Sequence, residues 1–105
     1  MGWSDWWNFK MGMVSHDRDD FGVYELADDS ETALYIGCGK VRAELLDHLN
    51  KNYCPLATRY RIDCCATEAE SRAKEKHLLE AYKSVRNGKL PLYNEPATSA
   101  NLLKP

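Results

Sequence analysis

The sequence predicts an α+β fold in which a small three-stranded antiparallel sheet packs against flanking helices, in the order β-β-α-β-α. Two observations carry that expectation. Val23, Tyr24 and Leu26, then Leu34, Tyr35 and Ile36, are β-formers on either side of the polar cluster Asp28-Asp29-Ser30-Glu31, whose side chains bond their own backbone in turns. Downstream, apolar residues recur at helical spacing on both sides of a run with period two.

At 105 residues the chain has room for one core, and its 44% hydrophobic and 29% charged residues are those of an ordinary globular domain. No apolar run approaches the roughly 20 residues that span a bilayer, and the first residues lack the basic and apolar regions of an export signal, so a cytoplasmic protein with no membrane partner is expected. Cys38, Cys54, Cys64 and Cys65 show no Cys-x-x-Cys spacing, which predicts reduced thiols rather than a disulfide framework or a zinc site. Net charge is −2, unlike a strongly basic nucleic-acid binder. The charge is uneven, with two basic and eight acidic side chains in residues 1–39 against twelve and eight in residues 40–105.

Residues 1–20 form an aromatic-rich arm before the main domain. Trp3, Trp6 and Trp7 fall on one face of a short helix capped by Ser4 or begun just before it. Their area suits a segment packed across the sheet, or an anchor for a protein partner; the neighbouring Asp5, Asp17, Asp19 and Asp20 disfavour stacking on nucleic-acid bases. The hairpin follows over residues 22–37, with a glycine at the outer end of each arm. Gly37-Cys38-Gly39-Lys40 reads as a flexible link into a helix from Val41 to Lys51, where Val41, Leu45 and Leu49 make the inward stripe and Glu44 and His48 stand one above the other. Such a pair is expected to bond and to raise the histidine pKa. Cys54-Pro55 ends that unit.

Residues 56–65 form the third strand, with Arg59, Arg61 and Asp63 on one face and Tyr60, Ile62 and Cys64 on the other. Thr67-Glu68-Ala69-Glu70 is a capping box, opening a helix over 67–86 with Gly88 as its left-handed stop. Ser71, Glu75, Leu78, Tyr82 and Val85 lie on one stripe, which leaves the Glu75 carboxylate among apolar neighbours, where it calls for a hydrogen bond, an ion pair or a cation. The main domain is taken as residues 21–94 and the tail as 95–105.

Gly22-Val23-Tyr24, Tyr35-Ile36-Gly37, the helix bearing His48, the helix bearing Glu75 and the closing Leu90-Pro91-Leu92-Tyr93-Asn94 together resemble the GIY-YIG nuclease superfamily in order and spacing. The resemblance implies that Tyr24 and Tyr35 stand at the attacking water, that His48 and Asn94 belong to the site, and that Glu75, followed by Leu78 and Leu79, holds Mg²⁺ or Mn²⁺. Such an ion polarises the scissile phosphate. One departure is decisive for activity. The family's arginine falls at Glu44 or Leu45, and Arg42 lies about 200° round the helix. The resemblance therefore implies a divergent domain whose catalysis is weakened or lost, serving as a nucleic-acid-binding or protein-interaction module. The alternative is an active nuclease on DNA or RNA that uses Tyr24, Tyr35 and Glu75, with Arg59 or Arg61 in place of the missing guanidinium.

Overall fold

The computed structural model describes residues 2–95. Its elements are β1 (Trp7–Asn8), α1 (Met11–Val14), β2 (Phe21–Ala27), β3 (Ala33–Lys40), α2 (Val41–Lys51), β4 (Arg59–Cys64), α3 (Glu68–Ser84) and a 3₁₀ turn at Leu92–Asn94. The α+β class stands. The sheet has four strands rather than three, all antiparallel, in the order β1-β4-β2-β3.

The extra strand comes from the aromatic arm, which is extended where a helix was expected. Backbone pairing decides it: Trp7 and Asn8 pair with Tyr60 and Arg59, Ser4 N–H donates to the Ile62 carbonyl at 2.8 Å, and Phe9 N–H donates to Thr58 at 2.9 Å. The edge of β4 thus satisfies amides that an isolated one-turn helix would leave to water. Trp7 and Asn8 are therefore an edge strand of the sheet. Helix falls instead on Met11–Val14.

The turn between β2 and β3 follows the sequence closely. Asp28 Oδ1 accepts from the amides of Ser30 at 2.9 Å and Thr32 at 3.0 Å, and Glu31 takes the left-handed φ of 63° that closes the reversal. A register shift at Leu26/Ala27 marks a bulge beside it. Gly37 to Lys40, expected as a flexible link, continues β3 and pairs with Phe21 to Tyr24. Gly22 is required by close approach, since a Cβ there would stand 2.6 Å from the Asp63 carbonyl oxygen of β4.

The cross-strand pairs Tyr24↔Ile62, Leu26↔Tyr60 and Leu26↔Tyr35 set one face of the sheet, and Glu25↔Arg61, Val23↔Asp63 and Glu25↔Ile36 set the other. The first face carries the core. Tyr24, Leu26, Tyr60 and Ile62 pack there with Val14 of α1, Val41 and Leu45 of α2, and Cys54. Trp7 meets Tyr60 edge to face at 5.7 Å. The Tyr60 hydroxyl donates to Asp17 Oδ2 at 2.5 Å, tying the segment after α1 to the sheet.

Helix α3 covers the second face over β2 and β3. It starts at its expected cap, where Thr67 Oγ1 accepts from Glu70 N–H at 3.1 Å, and it ends at Ser84 rather than 86. Gly88, at φ 80°, closes the turn by donating to the Lys83 carbonyl at 2.9 Å. Ser71 is its one fully buried residue among those described, and Lys74 pairs with the buried Asp63 of β4. No helix among the described residues is long and apolar enough to cross a membrane.

Candidate functional site

Tyr24 and Tyr35 come together because β2 and β3 are adjacent and both side chains point to the core face. Their rings lie 6.1 Å apart. Gly37, opposite Tyr24 in the pairing, makes room for them: a Cβ there would sit 2.5 Å from Tyr24 Cζ and Oη and 2.8 Å from Tyr35 Cε2. Helix α2 crosses this face and lowers His48 onto the pair. Tyr24 Oη and His48 Nε2 are 3.1 Å apart, and the His48 ring lies 4.9 Å from that of Tyr35. On its other side His48 Nδ1 stands 3.7 Å from Cys54 Sγ.

The chain leaving α2 completes the surroundings. Asn52 takes a left-handed φ of 52° and turns Tyr53 back so that its N–H donates to the His48 carbonyl at 3.3 Å and its ring meets the imidazole edge to face at 5.4 Å. Tyr35, Glu44, Asp47, His48, Tyr53, Cys54 and Tyr93 thereby line a cleft of about 310 Å³. Tyr53, Asp47, Cys54 and Tyr93 were missed from sequence. The signals available were the Glu44, Asp47, His48 and Lys51 spacing on one helix face and Asn52 at a left-handed cap position.

Electrostatics at the site follow from burial and from an excess of carboxylates. Burial pushes the Tyr24 hydroxyl far above an ordinary phenol, with Tyr35, Glu44, Cys54 and Glu75 adding to the shift. Burial and then Glu75 raise Tyr35 in the same way. A phenol so held is a hydrogen-bonding group and a poor base near neutral pH. Glu44 is raised by desolvation, then by Asp47, while the neighbouring Tyr24 hydroxyl pulls the other way. The Tyr24 hydroxyl, 3.1 Å from His48 Nε2, thus also acts on Glu44, the residue one turn before His48.

Glu75 looks toward this end of the sheet from α3. Its charge is felt at Tyr35, Tyr24, Cys38 and Glu44, but it does not line the cleft. Arg72, one turn earlier, feels Glu75 but is exposed and paired with Glu68 at 2.9 Å. Asn94 is spent on the fold. Its side chain accepts from Ile36 N–H at 2.8 Å and donates to the Ile36 carbonyl at 2.9 Å, so it pairs with the outer edge of β3 as another strand would.

Arg59 and Arg61 are on the wrong face to replace the missing guanidinium, because they share the side of the sheet that holds Glu25, while Tyr24 and Tyr35 point to the other. Both have partners. Arg59 donates to Asn8 Oδ1 at 2.6 Å, and Arg61 donates to Glu25 Oε1 at 2.6 Å. Trp3 and Trp6 stack on the Arg61 guanidinium at 4.3 and 4.5 Å, and Trp7 packs on Tyr60, so the tryptophans complete the fold as the packing alternative expected.

Glu75 is the single carboxylate at the place where the resemblance implies a metal ion. One carboxylate stands there beside the Cys38 thiol, which its charge helps to keep protonated, and a hard cation asks for oxygen ligands. Among the described residues no three His, Cys, Asp or Glu side chains are grouped to hold a metal.

Fold and site together define a small α+β domain with a tyrosine- and carboxylate-lined cleft between the β2–β3 hairpin and α2. The chain belongs to the family described as Domain of unknown function (DUF7508), whose model matches residues 3–84, from the first tryptophan of β4's outer edge to the last residue of α3. No curated protein and no solved structure matches the chain.

Proposed function

We propose that this domain is a non-catalytic binding module built on a nuclease-like arrangement of tyrosines and histidine, and that its partner is a protein rather than a nucleic acid. One observation carries the reading. Where phosphodiester cleavage needs positive charge to neutralise the developing phosphate charge, the cleft presents Glu44 and Asp47, and among the described residues no Lys or Arg lines it. Arg59 and Arg61 lie across the sheet in other pairs. A phosphate entering here meets repulsion, and the large affinity that nucleic-acid binders draw from phosphate contacts has no source at this site.

The test is cleavage of branched, single-stranded and duplex DNA and RNA with Mg²⁺ or Mn²⁺, run on the wild type, Glu75→Ala, Glu44→Arg and Glu44→Arg/Glu75→Ala. None of the four is expected to cleave. Metal-dependent cleavage by the wild type that disappears in Glu75→Ala would establish the nuclease alternative instead. Cleavage only in Glu44→Arg, lost in the double variant, would mark a nuclease site silenced at position 44 and leave the binding-module reading intact for the natural chain.

A further inference from the structure

We propose that the cleft between α2 and β3 takes a basic side chain, lysine or arginine, presented by a protein partner. This rests on the binding-module reading and names its ligand.

The walls are aromatic. Tyr35, Tyr53 and Tyr93 contribute three phenol rings to a space of about 310 Å³, at the small end of ligand cavities and ample for one extended side chain. Aromatic faces carry the negative part of the ring quadrupole and attract an ammonium or guanidinium. The charge is acidic. Glu44 and Asp47 both line the cleft and both side chains are solvent-accessible, so a cation entering gains two carboxylates without their having to be uncovered.

The protein already uses this corner for a cation of its own. Lys51 Nζ lies 3.4 Å from Asp47 and 5.9 Å from the Tyr53 ring centroid, at the rim. It offsets one of the two carboxylates and leaves Glu44 with no basic partner within 4 Å among the described residues. A free small amine would satisfy the charge alone, but the rim points to a polypeptide. Leu56 and Leu92 are 61% and 48% exposed, Leu56 N–H donates to the Tyr93 hydroxyl, and Leu92 precedes Tyr93 in the chain. A lysine or arginine flanked by apolar residues matches an acidic slot flanked by two exposed leucines.

The probe is the capped peptide acetyl-Gly-Leu-Lys-Leu-Gly-amide, titrated into the ¹⁵N-labelled full chain, with its Nε-acetyl form, the arginine form and inorganic phosphate as parallel arms. The lysine and arginine peptides are expected to shift the amides of Tyr35, His48, Tyr53 and Tyr93 saturably. The Nε-acetyl form and the Glu44→Gln/Asp47→Asn variant are each expected to bind about 10-fold more weakly or worse, the effect of removing the charge from an aromatic and carboxylate site. Both substitutions are isosteric and fall on exposed positions, and an unchanged spectrum elsewhere shows that the fold is kept. Equal binding of the acetylated peptide, saturable phosphate shifts at the same residues, or no saturable shift with either basic peptide would each overturn the proposal. The outcome is separable from the cleavage test. Absence of peptide binding without cleavage removes this ligand and leaves a binding module, whereas metal-dependent cleavage by the wild type removes the module.

Discussion

Gly37→Ala tests the packing that assembles the site. A Cβ at this position would lie 2.5 Å from Tyr24 Cζ and Oη and 2.8 Å from Tyr35 Cε2, well inside van der Waals contact. Tyr24 cannot swing aside into water, being 1% exposed and enclosed by the core, so the strand or both rings must move. Overpacking of this kind costs about 1–3 kcal/mol. Displacing Tyr24 also breaks its 3.1 Å contact with His48, worth about 1 kcal/mol more. The expected loss is about 2–4 kcal/mol, which in a domain of this size lowers Tm by roughly 10–25 °C. Circular dichroism melts and urea titrations of Gly37→Ala beside Gly12→Ala provide the assay. Gly12 lies in α1 with nothing within 4 Å of a built Cβ, so alanine there is expected to be neutral or stabilising by about 0.5–1 kcal/mol. Adding Tyr24→Phe to Gly37→Ala should not rescue it, because Cζ remains in the way. A Gly37→Ala protein within about 0.5 kcal/mol of the wild type would refute the packing argument, since that is the range of substitutions that disturb nothing.

Arg61→Ala removes the partner of Glu25, which is 8% exposed, and empties the slot between Trp3 and Trp6. A loss of about 2–4 kcal/mol is expected in urea titrations, with altered tryptophan emission, and Arg61→Lys should recover only part of it because an ammonium cannot fill a planar stack. Glu44 has a folded-state pKa raised by desolvation above its ordinary 4.5, so its contribution to stability is present at low pH and lost as pH rises through the raised value. Glu44→Gln is therefore expected to melt higher than the wild type near neutral pH and equally below pH 4.5, and a constant difference across that range would count against the assignment. Cys38, pushed up to about 11 by burial and then by Glu75, should react with iodoacetamide about 100-fold more slowly near pH 8 than a thiol of ordinary pKa, as mapped by mass spectrometry of the native protein. Glu75→Gln should speed it, and an unchanged rate would show that the carboxylate does not act on the thiol.

The chain by itself determined what depends on neighbours in sequence. The Asp28 turn, the β-formers flanking it, the 41–51 helix and the Thr67 cap are local choices of backbone and side chain, and each is found where the residues place it. The meeting of Tyr24, Tyr35 and His48 was expected from the resemblance and not from any local pattern; the pairing of β2 with β3 and the crossing of α2 bring the three side chains together. Tertiary structure decided the rest. Whether Trp7 lies in a helix or a strand depended on β4 having a free edge to offer its backbone, and Gly37 to Lys40 became strand because Phe21 to Tyr24 continued beside them. The face assignment settled the arginines: period two shows that Arg59 and Arg61 share a side, but only the register against β2 shows that this side is opposite Tyr24. Tyr53 and Tyr93 enter the cleft from segments 40 residues apart in the chain, brought together by a left-handed residue at 52 and by the anchoring of Asn94 on Ile36, contacts between distant segments that no local pattern encodes.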